Sequence, residues 1–222
     1  ERMAGVETVF PDLKLGLRAN FPLIQIKFYG RDTDAGRLDR RLEDAGRWAA
    51  ERLGPHVVSE KGETMETVIG RLLTARSATL ALAESCTGGL IANRLTNVPG
   101  SSAFFLFSGV TYSNEAKMRV LGVRRQTLER HGAVHEATAL EMAEGARRIC
   151  GAAFGLSTSG IAGPDGGTPE KPVGTVCIGF AAQDRSLARR FTFKFGRRLM
   201  NKKMFAMAAL DMLRRELSAQ DH

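Results

Sequence analysis

Long apolar runs are missing from this 222-residue chain, and their absence excludes a membrane-spanning helix. The longest stretch without a charged residue, Leu95 to Asn114, is broken by Pro99 and Gly100, and its longest apolar run is the five residues 103–107. A spanning helix needs about 20 consecutive apolar residues. Cysteine is equally sparse: Cys86, Cys150 and Cys177 are odd in number, far apart and outside any C-x-x-C pattern, so neither a disulfide framework nor a zinc site is expected. The four histidines, His56, His131, His135 and His222, are too scattered to suggest metal ligands. No charged-then-apolar leader precedes the first elements, and the chain opens on Glu1. The expectation is a reduced cytoplasmic protein belonging to a longer chain, with no membrane contact.

Acidic residues are absent where the basic ones gather. The formal charge is +8, yet ten basic and ten acidic residues precede Lys61, so the whole excess falls in the later part. Within it, residues 185–203 hold Arg185, Arg189, Arg190, Lys194, Arg197, Arg198, Lys202 and Lys203 and no acid. A basic balance confined to one segment argues against a nucleic-acid coat.

What is present divides in two. Residues 22–29 alternate as a half-buried strand, Ala35–Leu53 carries leucines and Trp48 at helical spacing, and Gly54-Pro55 stops that helix. Residues 1–60 thus read as a small α+β unit, with 57–63 as the joint to a second unit at 61–222. From Thr64 helices and strands alternate, as in an α/β layer fold. Strands are expected at 79–83, 104–112, 154–159, 173–181 and 187–195. Helices are expected around Met65–Leu73, at 90–95, Asn114–Leu121, Glu136–Cys150 and 199–217. No internal repeat is visible.

Three strand ends carry groups suited to chemistry. At Ala83-Glu84-Ser85-Cys86-Thr87-Gly88-Gly89 a buried strand turns into a helix, so the turn presents three candidate nucleophiles, Ser85, Cys86 and Thr87, before the free N–H groups of a helix start. A plain capped helix start is the alternative, and neither a G-x-S-x-G elbow nor a P-loop is present. At Thr111-Tyr112-Ser113-Asn114-Glu115-Ala116-Lys117, Lys117 falls in the first turn of a helix. The dipole disfavours a cation there, and burial lowers a lysine pKa further, which a general base requires. A solvated surface lysine is the alternative, and Tyr112 reads equally as a packing residue. The third segment, Ser157 to Gly167 continuing to Lys171-Pro172-Val173-Gly174-Thr175, holds enough glycine for a shaped binding loop or for a wide hairpin. No histidine lies in any of the three, so a Ser–Lys pair is the economical arrangement for an amidase.

These segments, taken with Val98-Pro99-Gly100-Ser101-Ser102 and Gly132-Ala133-Val134, resemble the C-terminal domain of the competence/damage-inducible CinA family over roughly residues 63–217. The resemblance implies a three-layer α/β domain with a mixed central sheet, and hydrolysis of nicotinamide mononucleotide to nicotinate mononucleotide and ammonia. Less specifically, the first 60 residues resemble that family's small KH-like linker domain. The usual N-terminal molybdopterin-binding-like neighbour is not in this chain. Gly196-Arg197-Arg198 stands where the family often has Gly-Asp-Arg, and no clear G-x-x-G loop supports RNA binding.

Carried over by residue, the resemblance implies Ser85 as nucleophile, Lys117 as its base, and Tyr112 as the group orienting Lys117 or the substrate. The N–H groups of Cys86, Thr87 and Gly88 would receive the oxyanion. Thr87, Gly88, Gly89, Ser101, Ser102, Asn114, Ser159, Gly160, Gly163, Asp165, Gly166 and Arg198 would contact a phosphorylated pyridine nucleotide. No metal or cofactor is implied. The apolar helix 199–217 and the resemblance together suggest a homo-oligomer, with a homodimer favoured. The competing expectations are a non-catalytic nucleotide-binding module and a competence-related DNA-interacting or scaffolding protein.

Overall fold

The computed structural model describes residues 2–219; Glu1 and residues 220–222, His222 among them, lie outside the described residues. The chain separates into two units at Thr64/Met65.

The first unit begins with a short helix α1 (Val6–Val9) and a hairpin of β1 (Lys14–Asn20) and β2 (Leu23–Tyr29), followed by helix α2 (Ala35–Leu53). The strands pair antiparallel from Lys14↔Tyr29 to Asn20↔Leu23. Asp34 starts α2 by accepting from the Arg37 N–H, 3.0 Å, and Gly54 ends it. Val6, Phe10, Leu13 and Ala45 form the small core, with the Phe10 and Trp48 rings edge to face at 5.9 Å. β1 is absent from the sequence reading because its faces are not cleanly divided: Leu17 is 65% exposed beside half-buried Leu15.

The second unit contains α3 (Met65–Ala75), β3 (Leu80–Glu84), α4 (Leu90–Thr96), β4 (Phe105–Val110), α5 (Asn114–Leu121), α6 (Arg125–His131), α7 (Glu136–Cys150), β5 (Phe154–Gly160), β6 (Thr175–Ala181), β7 (Ser186–Thr192) and α8 (Arg198–Ala219). The sheet runs β4-β3-β5-β6-β7, with β4, β3 and β5 parallel and β6 and β7 antiparallel to their neighbours. α3, α4 and α8 pack together on one face, and α5 and α6 pack with α7, which lies against the sheet on the other. This is a three-layer α/β domain with a mixed sheet. A Cβ at Gly155 or Gly179 would collide with the carbonyls of Ala143 and Ala139, so those glycines let α7 rest directly on β5 and β6. Among the described residues no helix is long and apolar enough to cross a membrane.

Two expectations need correction. Helix α6 was not expected, because only Thr127 and Leu128 of its seven residues are buried and the apolar period is too short to read. The last strand ends at Thr192 rather than at 195; the Phe191 and Phe193 rings stack at 6.2 Å, and Phe193 tilts against Phe205 of α8. α8 is buried on most sides, Phe205, Ala206, Met207, Ala209 and Leu210 all in its own unit, with Leu199 exposed at its start.

Candidate active site

Strand alternation explains the first half of the site. Successive residues of β3 point to opposite faces, and Ala81 and Ala83 join the cluster of Leu121, Val123, Leu128 and Met142 on the α5–α7 side. Continuing the strand by one residue puts Ser85 on that side and Glu84 on the α4 side. The Ser85 N–H still bonds the Thr158 carbonyl of β5 at 3.0 Å, so the sheet anchors the residue. Glu84, 1% exposed, turns its carboxylate to the start of α4 and accepts from the N–H of Ile91 (3.2 Å) and Ala92 (2.8 Å). The helix start is thereby filled by the chain's own carboxylate and is not open to a ligand.

The second half comes from α5. Ser113 caps this helix, its Oγ accepting from Ala116 N–H at 3.0 Å, and the cap sets Lys117 in the first turn facing inward. Lys117 is 1% exposed, not the solvated lysine weighed above. Its Nζ lies 3.2 Å from Ser85 Oγ, 2.9 Å from the Thr111 carbonyl and 3.2 Å from the Tyr112 carbonyl. Burial pulls its pKa below the ordinary lysine value, opposed only by the neighbouring Cys86 group. Nζ donates to all three oxygens, the Ser85 hydroxyl and the Thr111 and Tyr112 carbonyls.

The turn after Ser85 is more committed than its sequence suggests. Gly88 N–H donates to the Ser85 carbonyl at 3.1 Å, which removes it from the three expected oxyanion donors. No backbone carbonyl among the described residues accepts from Cys86 or Thr87 N–H, and these two remain. The Thr87 hydroxyl is fully buried and bonds Thr158 Oγ1 at 2.7 Å, so it faces the interior rather than a ligand. Burial pushes the Cys86 thiol up to about 12, far from a thiolate at neutral pH. Gly88 and Gly89 sit at positive φ, +62° and +85°, and a Cβ on Gly88 would lie 3.4 Å from Lys202 Nζ.

Around this centre the other expected residues divide. Ser159 and Gly160 end β5 beside Ser85, but the Ser159 hydroxyl is spent on the Ala133 carbonyl, 2.7 Å. Tyr112 meets Lys117 only through its carbonyl; its ring is 61% exposed and its hydroxyl accepts from Arg198 at 3.0 Å. Arg198 also donates to Gly163 O at 2.7 Å, and thus ties Tyr112 to the glycine-rich loop. Asn201, one turn on in α8, holds the same loop through Ala162 O at 3.0 Å, and Lys171 Nζ fastens it to His131 O at 2.9 Å. Asp165 and Gly166 line a shallow depression of about 510 Å³ whose walls include neither Ser85 nor Lys117. Asn114 is exposed at the first position of α5. Ser101 and Ser102 are not brought in at all: their 3-10 turn, Ser101–Ala103, precedes β4 beside Leu80, about 15 Å of strand from the Glu84 end.

Two groups at the site carry no role in the sequence reading. Thr158 needs the β3–β5 pairing to be found. Glu84 had a legible signal, an acid closing a wholly buried strand, where a charge must have a partner. Among the described residues no three His, Cys, Asp or Glu side chains converge as a metal site requires.

The CinA C-terminal domain model matches residues 62–217. CinA-like proteins of Desulforapulum autotrophicum and Desulfosudis oleivorans are each 54% identical, over 219 and 217 residues, 99% and 98% of this chain. The chain spans about half the length of these curated relatives, 52% of each. Among solved structures, the competence/damage-inducible protein of Agrobacterium tumefaciens superposes with a TM-score of 0.66 at 40% identity, covering 69% of this chain and 95% of that one. A competence damage-inducible protein of Klebsiella pneumoniae gives 0.67 at 36% identity, with 69% and 95% covered.

Proposed function

The chain belongs to the CinA C-terminal domain family, and from that premise we propose that it is a serine/lysine amidohydrolase converting nicotinamide mononucleotide to nicotinate mononucleotide and ammonia, a step of pyridine nucleotide salvage. The observation that carries this reading is the buried Lys117 amine 3.2 Å from Ser85 Oγ, its pKa lowered by burial. Neutral Lys117 takes the Ser85 proton as Oγ attacks the carboxamide carbon. The N–H groups of Cys86 and Thr87 receive the charge that develops on the carboxamide oxygen. Collapse breaks the C–N bond while Lys117 returns the proton, and ammonia leaves. Water, deprotonated by Lys117, then attacks the nicotinate ester, and Ser85 Oγ departs with that proton. The cycle closes with no group beyond these and one water.

Arg198 and Lys202 share one face of α8, four residues apart, and with the glycine-rich loop they suit the substrate phosphate. Replacement of Arg198 by alanine raises KM for nicotinamide mononucleotide about tenfold, a loss of roughly 1.4 kcal/mol. Arg185→Ala leaves KM unchanged, because Arg185 pairs with Glu216, 3.2 Å away on the last turns of α8. Equal effects of the two would remove Arg198 from the binding site. The reading also places the protein in the cytoplasm, where its free Cys86, Cys150 and Cys177 stay reduced.

Ammonia release with mass-spectrometric identification of the product tests the function. Turnover of the mononucleotide but not of free nicotinamide is expected; tight binding without release would leave a nucleotide-binding module.

A further inference from the structure

We infer that His135 is a pH-sensitive joint: as a neutral imidazole it caps α7 and holds the 131–135 segment in place, and on protonation it loosens that segment and with it the anchorage of the glycine-rich loop. The segment links α6 to α7, and the chain hangs two other elements on it. Lys171 Nζ of the loop donates to His131 O at 2.9 Å, and Ser159 Oγ at the end of β5 donates to Ala133 O at 2.7 Å. Between them Thr138 Oγ1 of α7 donates to Gly132 O at 2.7 Å. The three carbonyls keep their directions only while the chain is fixed on both sides, by the end of α6 at Gly132 and by the start of α7 at His135.

The cap at that start can titrate. An N-cap is ordinarily a serine, threonine, asparagine or aspartate oxygen, which stays an acceptor near neutral pH. Here His135 Nδ1 accepts from the Ala137 N–H at 3.1 Å, which places the ring proton on Nε2. Protonation turns Nδ1 into a donor facing another donor. It also sets a cation at a helix N-terminus, the end that disfavours one.

The groups around the ring add to this. The His131 ring, from α6, stacks on His135 with centroids 4.2 Å apart. Lys171 approaches from the loop and Arg190 from β7, both cationic. Cys177 of β6 is a neutral thiol, its pKa pushed up to about 11 by burial. Against them stands Glu136 of α7, 3.9 Å from Nε2 and beyond hydrogen-bond range, and Arg190 already holds that carboxylate at 2.6 Å. Burial first, and then His131, keep the His135 pKa below the ordinary histidine value, with Glu136 opposing. Below the unfolded value of about 6.5 the unfolded chain therefore takes up the proton first, and the joint loses stability as pH falls. The joint stands without the amidase reading; its effect on turnover rests on that reading, through the loop's contact with the substrate.

The test compares wild type with His135→Ser, which restores an oxygen cap that does not titrate, and with His135→Ala, which has no cap at any pH. Amide exchange, corrected for intrinsic rates, is measured at about pH 7.5 and about pH 5.5. In wild type the protection of the Ala137 amide should fall about fivefold on acidification, the size of one lost cap, and the Thr168 amide, which bonds Lys171 O, should fall with it. His135→Ser should keep both protected at both pH values, and His135→Ala should show the low value at both. Denaturant midpoints of wild type should drop relative to His135→Ser over the same window. For turnover of nicotinamide mononucleotide, the ratio of His135→Ser to wild-type kcat/KM cancels the titration of Lys117 and should rise about threefold from the upper pH to the lower. Parallel pH dependence of wild type and His135→Ser, or full Ala137 protection in His135→Ala, overturns the joint. A fall at Ala137 with Thr168 unmoved overturns the link to the loop. Both falls with a flat kcat/KM ratio overturn the effect on turnover. Both falls without ammonia release at either pH uphold the joint and reject the amidase.

Discussion

Replacing Ser85 with alanine lowers kcat by about 10⁴-fold or more while the protein keeps its fold. The size follows from the role: without its nucleophile a covalent amidase retains only binding and oxyanion contacts, which leave a small residue of the rate. Retention of the fold follows from the surroundings. Ser85 is held by its backbone N–H on Thr158 O, which alanine keeps. Its lost hydroxyl leaves Lys117 Nζ with the Thr111 and Tyr112 carbonyls as acceptors. KM changes little, because the hydroxyl is needed in the transition state rather than for ground-state binding. The control is Cys86→Ala. A thiol pushed up to about 12 is no nucleophile at neutral pH, and this variant stays within a few-fold of wild type. Intact-mass detection of a nicotinoyl adduct on wild-type protein, absent from Ser85→Ala, fixes the residue. Full activity of Ser85→Ala, or loss of activity in Cys86→Ala with Ser85 intact, would transfer the role to another group of the turn.

How much of this was legible in the sequence depends on whether the deciding contact was local. Helices such as Asn114–Leu121 and Glu136–Cys150 could be bounded to the residue, because capping residues and Gly122 or Gly151 mark their ends. An α/β layer fold followed from the alternation of strand and helix, and its three-layer form with a mixed sheet from the family resemblance. The depth of Lys117 was not legible, since a lysine in a first turn reads as surface until the β3–β4–α5 packing covers it. The fates of the turn hydroxyls and N–H groups were hidden for the same reason. Thr87 meets Thr158 across 71 positions of sequence, and Gly88 folds its N–H back on Ser85 O, a pairing that motif spelling does not distinguish from an open donor. Ser101 and Ser102 mark a further limit. Order along the chain places them between two site segments, yet the parallel pairing of β3 and β4 puts the reversal from α4 into β4 at the far end of the sheet from the Ser85 turn.

Lys117→Met provides the second large effect, and it separates two properties of one buried amine. Methionine retains the length of the apolar stem but no proton acceptor, so kcat/KM falls by about 10³-fold, within the range for a general base. In wild type the base works only when unprotonated, so kcat/KM falls as pH drops through the lowered pKa of Lys117. The Cys86 thiol, at about 12, does not titrate in that range. Stability moves the same way for a different reason. Burial disfavours the charged form in the folded state, so between the lowered folded pKa and the unfolded value of about 10.4 the unfolded chain binds more protons, and stability rises with pH. The cost of holding this lysine is therefore greatest at low pH and disappears above the unfolded value. Denaturant midpoints measured across that window should climb with pH in wild type and lose that slope in Lys117→Met. The methionine variant trades the cost for three unmet partners, the Thr111 and Tyr112 carbonyls and the Ser85 hydroxyl. A loss of rate below tenfold would end the assignment of Lys117 as base. An unchanged slope would show that the lysine is charged in the folded protein, and the proton acceptor for Ser85 would have to be sought elsewhere.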